Sequence, residues 1–377
     1  MIWLLSYRLL NSLLVRSYFS PDEYWQSLEV AHKLVFGYGE LTWEWTDAAL
    51  RSIIHPSLFA IFYYILSLFN IDTPWLIAYG PRLLQGLILT ITDYFIYKVS
   101  GKLGLTISVF SWFIFYAGIR TYSNSIELVL NSLALYLQVQ EKYRLWNLVV
   151  GISCMVRPTA IIIWIPSYVY YLYKKTWRFA IETCFIGYFL YSVFCISIQI
   201  LLDYLYFGRL TVSFYNFAQF NFFTGQAEFY SKQPWHWVCS EGLPVVLLSL
   251  LPLFGFGVWK SLNDLKTYSL LFSLLVISSS AHKEYRFLLP YFPHMIYVMT
   301  QAKSLIKSKW FYAFIGLQIP VALFLSLYHQ VGPLATMDFL MSQSPTKIGF
   351  FINCHGTPFY SHIHKDIPMD FLQCKPL

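Results

Sequence analysis

The residues best equipped for chemistry stand together near the N-terminus, where an apolar run ends in Ser20-Pro21-Asp22-Glu23-Tyr24-Trp25-Gln26. Ser20 can cap a helix, Pro21 suits its first position, and Glu23 follows Ser20 at capping-box spacing, so a helix is predicted to begin here. Each carboxylate has a plainer use: Glu23 as the capping partner, Asp22 as a complement to the helix dipole. Ionisable groups at a membrane edge are nevertheless functional candidates by default. Neighbours on a helix point about 100° apart, so Asp22 and Glu23 cannot approach one bond from opposite sides. One of them acting as a single general base is the better reading.

Cations recur at the ends of later apolar runs. His282-Lys283-Glu284-Tyr285-Arg286 packs three of them into one turn, Arg157 lies inside an apolar run, and Arg120 opens Arg120-Thr121-Tyr122-Ser123-Asn124. Such groups suit a phosphate, Lys as a point charge and Arg as a fork. The alternatives are internal pairing through Glu284, snorkelling, or a structural pair between Arg157 and Asp93 or Glu127. Residues 18–52 mix acids with tryptophans, as a sugar pocket does: carboxylates accept hydroxyl hydrogens and indole faces cover the ring. Trp25, Gln26, Glu29, Trp43 and Glu44 are the candidates there, joined by Trp235, His236 and Trp237 further on. An aromatic belt at the bilayer surface would use the same tryptophans. The tail carries Cys354-His355-Gly356-Thr357-Pro358, then His362 and His364. These match no standard zinc spacing, so a small polar cap is expected and no metal ligands are assigned.

Of the 377 residues, 57% are hydrophobic and 12% charged, with mean hydropathy +0.52. Soluble domains carry roughly twice that charged fraction, so an all-α polytopic membrane protein is expected, in a single domain spanning 1–377. Apolar stretches at about residues 2–17, 53–70, 81–98, 104–119, 125–139, 147–173, 179–202, 243–259, 268–281, 286–302 and 310–328 suggest about eleven membrane segments. Arg8 and Arg16 in the first run favour a retained signal anchor over a cleaved signal peptide. The net charge of +7 sits in short loops, Lys174, Lys175 and Arg178 among them, where the positive-inside rule accounts for it without nucleic acid. That rule gathers the loop at 18–52, the loop at 203–242, the 282–286 turn and the tail at 329–377 on the opposite face. Lys98 and Lys102 join the basic side only if residues 53–70 do not cross and the 147–173 run breaks near Arg157-Pro158. Of six cysteines, Cys154, Cys184 and Cys195 read as small buried side chains, while Cys239, Cys354 and Cys374 leave room for a disulfide.

A carboxylate base, phosphate-suited cations and a sugar-suited loop on one face suggest inverting glycosyl transfer from a lipid-linked phosphate, which calls for no metal or other cofactor. Residues 21–32, with Leu41-Thr42-Trp43-Glu44-Trp45 and Arg51-Ser52, resemble the first lumenal loop of the dolichyl-phosphate-mannose-dependent mannosyltransferases of glycosyltransferase family 22. The resemblance extends through Pro81-Arg82-Leu83-Leu84-Gln85, residues 120–124, Arg157-Pro158-Thr159, Pro234-Trp235-His236-Trp237, residues 282–287 and the Cys354 tail. It is strongest toward the branch that adds the third mannose of the GPI precursor. It implies a GT-C fold in the endoplasmic reticulum membrane and a lumenal site in which Asp22 is the base and Glu23 lies beside it. His282, Lys283, Arg286, Arg157 and Arg120 are then candidates for the donor phosphate. The implied partners are the bilayer and two lipid substrates, dolichyl phosphate mannose and the GPI precursor; no protein partner is legible. Competing readings are a relative acting on N-glycan precursors, the enzyme of the fourth GPI mannose, and a transporter.

Overall fold

The structure is a computed structural model that describes residues 2–46, 48–174, 187–229 and 231–372. Asp47, Lys175, Arg178, Cys184 and Cys374 lie outside the described residues. The first helix, α1 (Ile2–Leu14), carries Arg8 into the centre of the bundle, where its guanidinium forks onto Asp93 at 2.7 and 2.8 Å with both side chains fully buried. A charge that reads as a flank of an anchor is thus half of an interior ion pair. It also removes Asp93 as a partner for Arg157.

After α1 the predicted capping box does not form. The Ser20 hydroxyl lies 3.1 Å from the Tyr122 hydroxyl, and the Glu23 carboxylate is drawn away by two arginines. A helix still starts at Asp22, passes through a wide π-helical turn at Tyr24–Leu28 and becomes α2 (Glu29–Phe36), ended by Gly37 at φ 81°. Such turns re-aim side chains and recur at functional sites.

The next helix, α3 (Ile54–Leu68), returns to the side it left. Ser52 and the Ile53 amide donate to Asp203 just before it, and Asp72, just after it, faces His364 of the tail at 3.6 Å. In α4 (Pro74–Phe110) the chain reverses at Gly101, φ 66°, so that Ser108 donates to Asp93 at 2.8 Å from the returning arm. A side chain other than glycine would be strained at that turn. The returning arm continues as α5 (Trp112–Ala117) to Arg120, and α6 (Ser123–Val139) leads away again. The apolar run at 147–173 is broken: α7 (Tyr143–Val156) stops at an extended Arg157, Pro158–Trp164 forms a tight helical stretch, and α8 (Ile165–Lys174) follows. Tyr168 donates to Asn147 at 2.9 Å across this hairpin. Lys98 and Lys102 flank the Gly101 turn of α4, whose earlier part carries Arg82 to Glu23.

Among the described residues, Phe189–Phe207, Val238–Lys260 and Trp310–Gln343 are long and apolar enough to cross a bilayer by length and composition. The connections far from Asp22 carry Lys142, Lys260, Lys266, Lys303, Lys307 and Lys309. The near side is covered by the tail, where β1 (Ile348–Phe350) pairs in parallel with β2 (Met369–Phe371). Phe350 and Phe359 stack at 4.2 Å and belong to a buried aromatic cluster with Tyr24, Trp25, Phe59 and Tyr63. Cys354 is disulfide-bonded, whereas Cys154, Cys195 and Cys239 are free.

Candidate active site

A cavity of about 500 Å³ opens on the face that holds Asp22. Six separated segments build it: the helix start at Asp22 with the loop to Arg51, Asn124 and Glu127 of α6, the break at Arg157, the stretch from Phe217 to Phe229, the stretch from Val276 to Tyr291, and Cys354-His355 of the tail. Phe217, Phe220, Ile277, Phe287 and Tyr291 supply apolar wall.

Asp22 and Glu23 meet opposite fates. Glu23 is fully buried, one oxygen held by Arg82 Nε and the other by Arg120, each at 2.7 Å. Burial raises its pKa, but the two guanidiniums outweigh this and hold it below the usual carboxylate range. The second positive charge is spread over the carbonyls of Val15, Ser17 and Tyr116. Glu23 therefore cannot reach the cavity, and Arg120 is occupied with Glu23. Asp22 lines the cavity, and one of its oxygens is ion-paired with Arg286.

Arg286 also grips Glu284 at 2.7 and 2.8 Å, and Glu284 accepts from His282 at 3.0 Å. The internal pairing that the turn's composition allows is thus present, and it orients the guanidinium toward Asp22. Burial pushes the Glu284 carboxyl up, while Arg286 and His282 pull it well below its ordinary value, so it stays ionised. Arg157 pairs with Glu127 at 2.9 Å and donates to Ser123 at 3.0 Å. Arg51 forks onto Glu44 at 3.2 and 3.3 Å, and Gln26 donates to the same carboxylate. Arg51, Arg157, Arg286 and His282 line the cavity together with their carboxylate partners Glu44, Glu127, Asp22 and Glu284, so an anion would bind there by competing for guanidiniums that are already paired.

Of the residues proposed from the sequence, Asp22, Trp25, Gln26, Trp43, Glu44, Arg157, His282 and Arg286 come together around the cavity. The others serve elsewhere. Lys283 is buried and donates to the carbonyls of Gln233 and Pro234, stitching two loops together. Glu29 is buried beneath the tail, accepting the amides of Phe359, Tyr360 and Ser361 and the Ser361 hydroxyl. Trp235 is exposed, His236 bonds Ser240 at 3.0 Å, and Trp237 is buried against Tyr285. None of the three lines the cavity, because the helix that Trp237 enters turns its indole into the bundle. The tail histidines also diverge: His355 packs on Trp25, His362 bonds Asp338, and His364 bonds His32.

Arg51 and His355 are among the lining residues given no site role from the sequence. Arg51 precedes a helix start in an acid-rich loop, and that cation was the available signal. His355 follows a cysteine that is now seen to be bonded; nothing local marks its approach to Asp22.

Residues 1–364 match the Alg9-like mannosyltransferase family. GPI mannosyltransferase 3 of Drosophila melanogaster is 36% identical over 99% of this chain and 71% of its own length. GPI alpha-1,2-mannosyltransferase 3 of Mus musculus is 35% identical over 100% of this chain and 73% of its own. Among solved structures, ArnT from Cupriavidus metallidurans, bound to undecaprenyl phosphate, superposes with a TM-score of 0.65 at 11% identity, covering 98% of this chain and 85% of that one. The shared fold is GT-C. By family match and full-length relatives alike, the chain belongs to the Alg9-like mannosyltransferase family and is a polytopic membrane glycosyltransferase.

Proposed function

We propose that the protein is an inverting α-1,2-mannosyltransferase that moves mannose from dolichyl phosphate mannose to the second mannose of the GPI precursor. The observation that carries this reading is the division of labour between neighbours: Asp22 faces the cavity beside Arg286, while Glu23 is sealed between Arg82 and Arg120. The names of the relatives support mannose transfer in an α-1,2 linkage within GPI, and the donor and the acceptor position are taken from the resemblance of the sequence motifs.

In the proposed step the Asp22 carboxylate takes the proton of the acceptor hydroxyl as that oxygen attacks the anomeric carbon. The bond from that carbon to the phosphate oxygen breaks, and dolichyl phosphate leaves. The phosphate passes from one negative charge to two, which Arg286, Arg157, Arg51 and His282 are arranged to offset. Binding of the phosphate at Arg286 would also compete with the Asp22 ion pair and release the base. The short lysine-bearing connections on the far side favour a cytosolic location for that side, so the cavity faces the lumen of the endoplasmic reticulum. The disulfide at Cys354 suits an oxidising lumen.

The test is transfer of mannose from dolichyl phosphate mannose to a two-mannose GPI precursor in membranes containing the protein. A third-mannose product that disappears with Asp22→Asn supports acceptor and base together. Folded protein that instead extends N-glycan precursors or a three-mannose GPI lipid overturns the acceptor assignment.

A further inference from the structure

His355 lies in the cavity wall, its ring packed on Trp25 and Phe371 while its side-chain polar atoms are left unused. Among the described residues neither ring nitrogen has a hydrogen-bond partner, while the backbone around it is held from several directions. Its carbonyl accepts from Tyr18 at 2.7 Å, its ring packs on Trp25 at 4.7 Å, and Trp25 donates to the next turn, at Thr357, at 3.0 Å. Cys354 is disulfide-bonded and Glu29 clamps residues 359–361. All this holds His355 at φ 59°, a left-handed value that histidine adopts more readily than most side chains.

We propose that His355 is a specificity-determining contact to the acceptor sugar, binding the hydroxyl next to the one that attacks. The inference rests on the mannosyltransferase reading above and adds which side chain reads the acceptor. Burial lowers the His355 pKa, and Asp22 opposes this without restoring it, so the ring is neutral at pH 7. A neutral imidazole offers one donor and one acceptor, which suits a sugar hydroxyl better than a phosphate. The anion has its own place, since the guanidiniums of Arg51, Arg157 and Arg286 gather on other segments of the wall. Asp22 and His355 line the same cavity, so the hydroxyl that Asp22 deprotonates and the one that His355 holds can belong to one mannose.

The experiment compares wild type with His355→Gly and His355→Asn. Glycine suits the left-handed backbone but gives up the ring packing on Trp25 and Phe371, so the thermal midpoint of each variant is read alongside; asparagine tolerates that backbone and restores a donor and an acceptor. Transfer is measured to a two-mannose acceptor and to one lacking the 3-hydroxyl of its terminal mannose. Slow donor hydrolysis by water is followed without acceptor. His355→Gly is expected to raise the acceptor KM about tenfold, the scale of one lost hydrogen bond, with donor KM and donor hydrolysis unchanged. His355→Asn should recover most of the loss. Removing the 3-hydroxyl should cost wild type a similar factor and His355→Gly nothing more. Additive losses, an unaffected acceptor KM, or donor hydrolysis falling in step would overturn the proposal. If wild type ignores the two-mannose acceptor, the functional reading fails by itself. The same split between His355→Gly and wild type is then read on the mannosyl acceptor that wild type does use, and its absence there overturns this inference too.

Discussion

Asp22 and Glu23 are consecutive, yet Asp22 meets Arg286 in the cavity while Glu23 is clamped by Arg82 and Arg120 in the interior. The two carboxylates therefore fail differently when neutralised. Asp22→Asn should lower transfer by about 10²–10⁴-fold, the range for loss of a general base, with little change in thermal midpoint. Rates and melting of the purified enzyme check this; strong activity with a neutral residue 22 would remove Asp22 from the chemistry.

Glu23→Gln should act on folding. Removing the shared partner leaves two buried guanidiniums uncompensated, a loss of about 3–5 kcal/mol. The carboxyl is held below 4.5 in the fold, so its contribution is complete above that pH and fades as the pH drops through the lower folded value. Denaturation of Glu23→Gln and wild type at pH 7 and pH 4 should show the gap narrowing in acid.

Arg286→Lys keeps a charge but cannot hold Asp22 and Glu284 together in one fork. We expect kcat/KM for the donor to fall by about tenfold or more, with acceptor KM nearly constant. Initial rates over a matrix of both substrates measure the split, and an effect confined to the acceptor would reassign Arg286.

The Arg8–Asp93 pair predicts a double-mutant result. Arg8→Leu or Asp93→Leu alone should each cost about 3–5 kcal/mol, while both together should come close to wild type, because the unpaired buried charge is what is penalised. Expression level and melting temperature report it, and simple addition of the two losses would argue against the pair.

Acid should loosen the tail. Burial depresses the pKa of His355, His362 and His364 against the opposing pull of Asp22, Asp338 and Asp72, and burial with His364 nearby pushes His32 down to about 3. The folded tail binds fewer protons than the unfolded one, so its stability is full above about pH 6.5 and declines as the pH falls below that. Amide exchange over 345–372 at pH 7.5 and 5.5 tests this, and His32→Asn should shrink the difference.

Local chemistry made part of this molecule readable from sequence. Charge placement left two topologies open, one of which needed a break at Arg157-Pro158, and a break is present there; the acid pair beside aromatics marked the loop bearing Asp22. The partners of Glu23 were not readable, because Arg82 and Arg120 lie 59 and 97 residues further along and no spacing rule joins them. Composition also cannot separate an indole that faces a sugar from one packed in a bundle. Trp25 lines the cavity, whereas Trp237 is buried away from it.

The clamp between the first loop and the tail also sets an order of events during synthesis. The Trp25 indole and the Glu29 carboxylate wait for groups more than 300 residues downstream, Thr357 lying 332 positions after Trp25. At about 5–20 residues per second the ribosome needs roughly 17–66 s to supply them. Until then the helix bearing Asp22 has no tail segment above it and the cavity lacks the wall formed by Cys354 and His355. A half-made chain therefore meets the membrane and its lipids with an open, incompletely walled cavity.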